Sequence, residues 1–280
     1  MNYWQESKEN IYVAAHRGWS DKYPENTMEA FRAAVEIGVD QIETDIRITS
    51  DGELVLIHDH KVDRTTNGTG EVSKMTLGEL KQLDAGSYMG EEFKNCKIPT
   101  FIEFMEFVKD IPMLTVDLEL KIRDVDDRND EIFVICGKEY TRIDLAYYVC
   151  DKVIEIVEKY NFADRVILNT FGGKLHDYIY TKYKGKYKQH VYFPKSFMST
   201  GGIDPYSYAY SCCMFSEDDS IMATKGAFDA MAEKGVAGWA GAAVKDACGV
   251  DMAIERGASL ITCNNPDKIL KHLKERGKHA

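Results

Sequence analysis

Glu43 and Asp45 stand two positions apart in QIETDIRI, and Glu119 and Lys121 repeat that spacing in TVDLELKI. Along a β-strand, residues i and i+2 point to the same side. Each stretch therefore gathers its charges on one face, with Asp117 in phase with Glu119 and Lys121 while Ile42 takes the opposite face. Charges on an inner strand are costly unless they are paired or hold a metal ion. Glu43, Asp45 and Glu119 form a hard oxygen set, which suits Mg²⁺, Mn²⁺ or Ca²⁺ better than zinc. Two histidines, His16 in VAAHRG and His58 in LVLIHD, stand at the ends of apolar runs. Imidazole titrates near neutrality and suits general acid–base work. Arg17 and Lys121 add positive charge, and a guanidinium fork fits phosphate oxygens. A cation, an arginine, a lysine and two histidines together point to phosphoryl transfer or phosphodiester cleavage. Taken singly, each group has a plainer reading: hydrogen-bonded surface histidines, the polar face of an exposed strand, a Glu119–Lys121 ion pair.

These residues need a frame that brings them together. Short apolar runs read as strands at Tyr12–Ala15, Gln41–Ile46, Leu114–Leu120, Val166–Asn169, Val191–Phe193, Cys212–Phe215, Val236–Trp239 and Leu260–Thr262. Amphipathic stretches lie between many of them. Met28, Phe31 and Val35 share one helical face, and so do Ile269 and Leu273. Alternating strands and helices argue for a parallel sheet covered by helices. Eight such strands would close a TIM (β/α)8 barrel, whose catalytic residues sit at the C-terminal ends of its strands. The charged residues above fall at or near the ends of the first strands.

Two stretches break the rhythm. Residues 51–110 are too long for a simple loop and read as a small inserted subdomain after the second strand. Residues 122–141 begin with an acidic run, Asp124, Asp126, Asp127 and Asp130, that lacks the glycine and terminal glutamate of a calcium loop and reads as solvated. Two β-prone pieces around Gly137-Lys138 then suggest an exposed hairpin. No repeat or linker divides the chain, so residues 1–280 read as one domain.

The bulk composition is compatible with this. The chain has 280 residues, 44% hydrophobic and 29% charged, near the typical length of one α/β barrel. A net charge of −11 disfavours nucleic acid as a partner but leaves room for a small anionic substrate at a locally positive site. Seven scattered cysteines without a C-x-x-C pair read as reduced thiols of a cytoplasmic protein. The polar N-terminus does not read as a signal peptide, and no apolar run approaches the ~20 residues that span a bilayer.

The motifs AHRG, PENT, IETDI, LVLIHDHKVDRTTNGTG, IPTFIEF and LELK occur in that order within residues 13–121. In this the chain resembles the glycerophosphodiester phosphodiesterase family. The resemblance implies a TIM barrel, one divalent cation (Mg²⁺ or Ca²⁺, with Mn²⁺ as a third choice) and cleavage of glycerophosphodiesters to glycerol 3-phosphate and an alcohol. It implies His16 and His58 as the acid–base pair, with His16 starting as base and a cyclic phosphate between two steps. Glu43, Asp45 and Glu119 would hold the cation, while Arg17, Lys121 and Glu25 would serve substrate binding. Asn26 would support the first loop. Residues 51–110 match the family's insertion.

The second half departs from the family pattern. GWAGAAV stands where a Trp-Thr-Val-Asn-like run is common, so Trp239 is expected as an aromatic wall without its polar partners. Thr262-Cys263-Asn264-Asn265-Pro266-Asp267 replaces Thr-Asp-x-Pro-Asp, with asparagine in place of a charge, and Thr170 stands where serine is more usual. Two alternatives remain: a related enzyme acting on lysophospholipids or another phosphodiester, and a non-catalytic phosphate-binding barrel.

Overall fold

The computed structural model describes residues 10–122, 131–216 and 221–279, so the acidic run Asp124–Asp130 lies outside the described residues. Eleven strands are described in chain order: β1 (Tyr12–His16), β2 (Gln41–Ile48), β3 (Leu54–Leu56), β4 (Thr115–Leu120), β5 (Ile132–Ile135), β6 (Lys138–Thr141), β7 (Val166–Asn169), β8 (Lys188–Phe193), β9 (Ser211–Met214), β10 (Ala237–Ala240) and β11 (Leu260–Cys263). Eight of them, β1, β2, β4, β7, β8, β9, β10 and β11, pair in parallel in that order. β11 returns to β1 and closes a TIM barrel. Each of the eight strands expected for the barrel is one of these.

The connecting helices form the outer layer. Thr27 caps the first, Met28–Glu36, by accepting from the Ala30 N–H. Its apolar face lies as expected: Phe31 is fully buried, with Met28 and Val35 packed against the same core. Ile269 and Leu273 anchor the last helix, Pro266–Glu275, in the same way. Helix Phe101–Val108 also belongs to this layer, since Phe104 meets Phe31 edge-on at 4.8 Å between ring centroids. That helix forms the last part of the stretch 51–110.

The rest of that stretch leaves the barrel. β3 pairs antiparallel with the end of β2, Leu56 opposite Ile46. Val55, Ile57, Val62, Val72, Leu80 and Ile98 form an apolar cluster of their own there. The hairpin expected at Gly137 is β5–β6, and its turn residues Cys136 and Gly137 have φ of 53° and 74°. Two positive φ values match the twist of a tight two-residue hairpin. All seven cysteines are free. No helix among the described residues is long and apolar enough to cross a membrane.

Candidate active site

Parallel register assembles the site. β1 sets His16 beside Glu43 of β2, and β2 sets Asp45 beside Glu119 of β4. One oxygen from each of Glu43, Asp45 and Glu119 can be chosen so that all lie within 4.8 Å of one another, and all three residues are buried. The convergence read from the i, i+2 spacing is therefore present in the fold.

Asp45 is the centre of the charge network. Its Oδ1 lies 3.0 Å from Lys121 Nζ, which also reaches Glu119 Oε1 at 2.7 Å. Its Oδ2 accepts from Asn26 Nδ2 at 2.7 Å and lies 3.3 Å from Arg17 Nε. Burial alone would raise the Asp45 carboxyl, but the Lys121 ammonium and Arg17 guanidinium hold it well below the usual carboxylate range. Glu43 behaves oppositely. Burial, followed by the charges of Asp45, Glu119 and Asp117, pushes its carboxyl well above its ordinary value. Three converging carboxylates with Lys121 among them thus leave Glu43 short of positive charge, which is what a divalent cation would provide. The donor set is all oxygen and fits Mg²⁺, Ca²⁺ or Mn²⁺.

Arg17 leaves β1 with φ of 60°, and Gly18 follows at 78°. A side chain at Gly18 would bring Cβ within 2.7 Å of the Ala30 backbone, so the H-R-G glycine lets the loop turn onto the first helix. The Arg17 N–H donates to Glu43 Oε2 at 3.0 Å, tying this loop to the carboxylates. His16 lies close by, its Nε2 3.8 Å from the same Glu43 oxygen. Its Nδ1 is 2.6 Å from Asn264 Oδ1, an acceptor that leaves the proton on Nδ1 and the lone pair on Nε2. Burial and the neighbouring Arg17 charge lower the His16 imidazole to about 4.

His58 enters from the inserted stretch, just after β3. Arg47 of β2 donates twice to the His58 carbonyl, at 2.9 and 2.6 Å, and fixes its backbone. Asp59 Oδ1 lies 2.6 Å from His58 Nδ1. Burial and then the Lys121 charge lower the His58 imidazole. Against the upward push of burial, hydrogen bonds from Arg64 and His58 bring the Asp59 carboxyl to about 2. A cavity of about 250 Å³ is lined by His58, Asp59 and Lys121 together with Arg47, Phe133 and Arg142.

Glu25 and Trp239 both lie among protein partners. Both Glu25 oxygens are engaged by arginines: Oε1 by Arg17 at 2.9 Å and Arg64 at 2.7 Å, Oε2 by Arg64 at 2.8 Å. Trp239 is 3% exposed and clusters with Ala14, Ile167 and Leu260 from other strands. Its ring meets His190 edge-on at 4.6 Å, and His190 pairs with Asp117 at 3.0 Å. Asp117, in phase with Glu119, thus faces a buried histidine. Sequence reading missed Asp59, Arg47, Arg64 and the role of Asn264. Arg47 carries a signal in hindsight, since it continues the Glu43, Asp45 alternation along β2.

A model of the glycerophosphoryl diester phosphodiesterase family matches residues 16–193. The chain is 43% identical over 159 residues to a glycerophosphodiester phosphodiesterase of Caldanaerobacter subterraneus subsp. tengcongensis, and 37% identical over 159 residues to one of Bacillus altitudinis. Each match covers 57% of this chain and 57% of the relative, so the chain spans little more than half the length of these curated relatives. Among solved structures, a glycerophosphodiester phosphodiesterase of Agrobacterium tumefaciens superposes with a TM-score of 0.70 at 22% identity, covering 92% of this chain and 98% of that one. An Oleispira antarctica phosphodiesterase in complex with the product sn-glycerol-3-phosphate gives 0.73 at 20% identity, covering 95% and 97%. At these identities the two structures speak for the barrel fold, and the match over 16–193, which takes in both histidines and all three carboxylates, identifies the chain as a member of the glycerophosphoryl diester phosphodiesterase family.

Proposed function

We propose that this chain is a single barrel domain, with its inserted stretch, that hydrolyses glycerophosphodiesters to glycerol 3-phosphate and an alcohol. The observation that carries the reading is the gathering of His16, Arg17, Glu43, Asp45 and Glu119 at one end of β1, β2 and β4, with His58 brought to the same mouth from the insertion. Family membership and the product named for the Oleispira antarctica neighbour support the substrate class.

Glu43, Asp45 and Glu119 would hold one divalent cation, Mg²⁺ or Ca²⁺. When bound, it would supply positive charge to the phosphate oxygens and stabilise the charge that grows during displacement. Arg17, braced by Glu25 and Asp45, offers its guanidinium to a phosphate oxygen, and Lys121 adds charge beside it. His16 Nε2, left bare by the Asn264 contact, takes the proton of the glycerol 2-hydroxyl. That oxygen attacks phosphorus in line, forming the cyclic phosphate as the bond to the alcohol oxygen breaks. His58, once protonated on Nε2 with Asp59 accepting at Nδ1, gives that Nε2 proton to the departing alcohol. Water then opens the cyclic phosphate with the two histidines in reversed roles. Seven free cysteines, most of them buried, suit a reducing compartment, the cytoplasm.

A second substrate class, lysophospholipids, is favoured by one feature. Tyr192 donates to Asn169, which pairs in register with Glu119, and Tyr192 stacks on Phe215 at 5.7 Å. Phe215 in turn meets Phe197, which is 46% exposed. This aromatic run leads from the carboxylates to the surface. Incubating the protein with glycerophosphocholine and with lysophosphatidylcholine, followed by ³¹P NMR, separates the two. The proposed function gives a glycerol 3-phosphate resonance preceded by a transient cyclic phosphate from the first substrate. Turnover of lysophosphatidylcholine alone would replace the first reading by the second.

A further inference from the structure

Arg64 lies in the motif DRTTNGTG and belongs to none of the groups assigned above. Its guanidinium nevertheless spans the two halves of the site. Nε donates to Asp59 Oδ2 at 2.6 Å, and Nη1 and Nη2 donate to the two Glu25 oxygens at 2.8 and 2.7 Å. Asp59 holds the His58 ring, and Glu25 holds Arg17. One planar fork therefore links the imidazole carried by the insertion to the guanidinium carried by the β1 loop, through one carboxylate on each side.

The same seam is closed at two further points. The Glu25 N–H donates to Tyr88 Oη at 2.9 Å, and Tyr23 meets Phe93 edge-on at 5.6 Å. Tyr88 and Phe93 belong to the insertion, Glu25 and Tyr23 to the β1 loop. The insertion is thus latched to the barrel beside the histidine it carries.

We infer that Arg64 is a positioning residue, fixing His58 against Arg17 through Asp59 and Glu25. The inference rests on the proposed acid–base role of His58. A bidentate guanidinium is what the geometry requires, since three of its nitrogens are used in fixed directions. With Arg64 removed, Asp59 loses its second partner and swings with its loop, so the His58 ring loses its set orientation. Glu25 then falls to Arg17 alone.

Partners that orient metal-ligating histidines are worth about 10–100-fold in affinity or activity when removed, and the same scale is expected for an oriented acid–base histidine. Arg64→Met should therefore lower kcat on glycerophosphocholine by about 10–100-fold with KM changed less than about threefold, and Arg64→Lys should recover part of the loss because it can keep one pair. Separately, ¹⁵N-resolved imidazole spectra of the substrate-free protein should show His58 protonated on Nδ1 in the wild type and exchanging between tautomers in Arg64→Met. A KM rise of tenfold or more with kcat intact would overturn the inference by placing Arg64 on the substrate itself. Wild-type kcat with an unchanged His58 spectrum would overturn it as well. If the wild-type protein turns over no glycerophosphodiester, the proposed function fails, and the tautomer spectra alone decide the inference.

Discussion

Asn264 and His16 are separated by 248 positions, yet Asn264 Oδ1 lies 2.6 Å from His16 Nδ1. The closure of β11 on β1 creates this contact, with Ala15 opposite Cys263. A neutral amide oxygen fixes the ring and its tautomer without adding a negative charge to a site that already holds three carboxylates. Replacing it with leucine removes the acceptor while keeping the branched shape. We expect Asn264→Leu to lower kcat by about 10–100-fold, the scale for a partner that orients a functional group. Steady-state kinetics on glycerophosphocholine check this, and a kcat within a factor of two of wild type would show that the ring is oriented without Asn264.

The histidines themselves should cost more. A positioned general acid or base contributes about 10²–10⁴ in rate. His16→Ala and His58→Ala should each fall by that amount, while circular dichroism and melting temperature stay close to wild type. Either variant retaining more than about a tenth of the wild-type rate would remove that residue from the proton transfers.

Glu43 tests the cation directly, without reference to turnover. Its carboxyl is pushed up by burial and by the surrounding carboxylates, so the metal-free site carries electrostatic stress. A cation that binds the folded state should raise the melting temperature, with a stabilisation of about 2.7 kcal/mol at 100-fold excess over Kd. In Glu43→Gln the cation-dependent rise should shrink sharply, and the metal-free variant should melt no lower than the metal-free wild type. Equal responses of both proteins to Mg²⁺ and Ca²⁺ would place the cation elsewhere.

The insertion has its own pH dependence. The Asp84 carboxylate accepts from the backbone N–H groups of Gly86, Ser87 and Asn95 and from the Ser87 hydroxyl. These bonds hold its pKa well below the ordinary range, the Asn95 bond contributing most. A carboxyl depressed in the folded state stabilises fully above its unfolded pKa of about 3.9 and loses that contribution as pH falls further. Asp84→Asn should therefore lower the melting temperature at pH 7, and the difference from wild type should shrink as the pH is taken below about 4. A difference independent of pH would mean the carboxylate charge contributes nothing there.

The barrel was readable because its strands are short apolar runs with charges at their ends; alternation puts Glu43 with Asp45 and Glu119 with Lys121 on one face of their strands, and parallel pairing of β2 with β4 joins the two sets. His16 and Arg17 followed from their place at the end of β1. Partners joined by distant parts of the chain were not readable: Asn264 meets His16 only when β11 closes on β1, and Arg64 meets Glu25 only when the insertion folds back. The direction Trp239 faces was unreadable for a related reason. A tryptophan at a strand end can face the mouth or the interior, and the small residue Ala14 packs beside it inside. Asp59 was legible as a neighbour of His58 but not as its ring partner, because adjacent residues on an extended chain normally point apart.

Cation-dependent acid–base cleavage of glycerophosphodiesters joins the carboxylates, the arginine and the two histidines in one reaction. Its most direct test is glycerol 3-phosphate release from glycerophosphocholine, glycerophosphoethanolamine and glycerophosphoglycerol with Mg²⁺, with Ca²⁺ and with EDTA. Release is expected from at least one substrate with a divalent cation, and its loss in EDTA. Folded protein that is silent on all three, or that releases product equally well in EDTA, would contradict it.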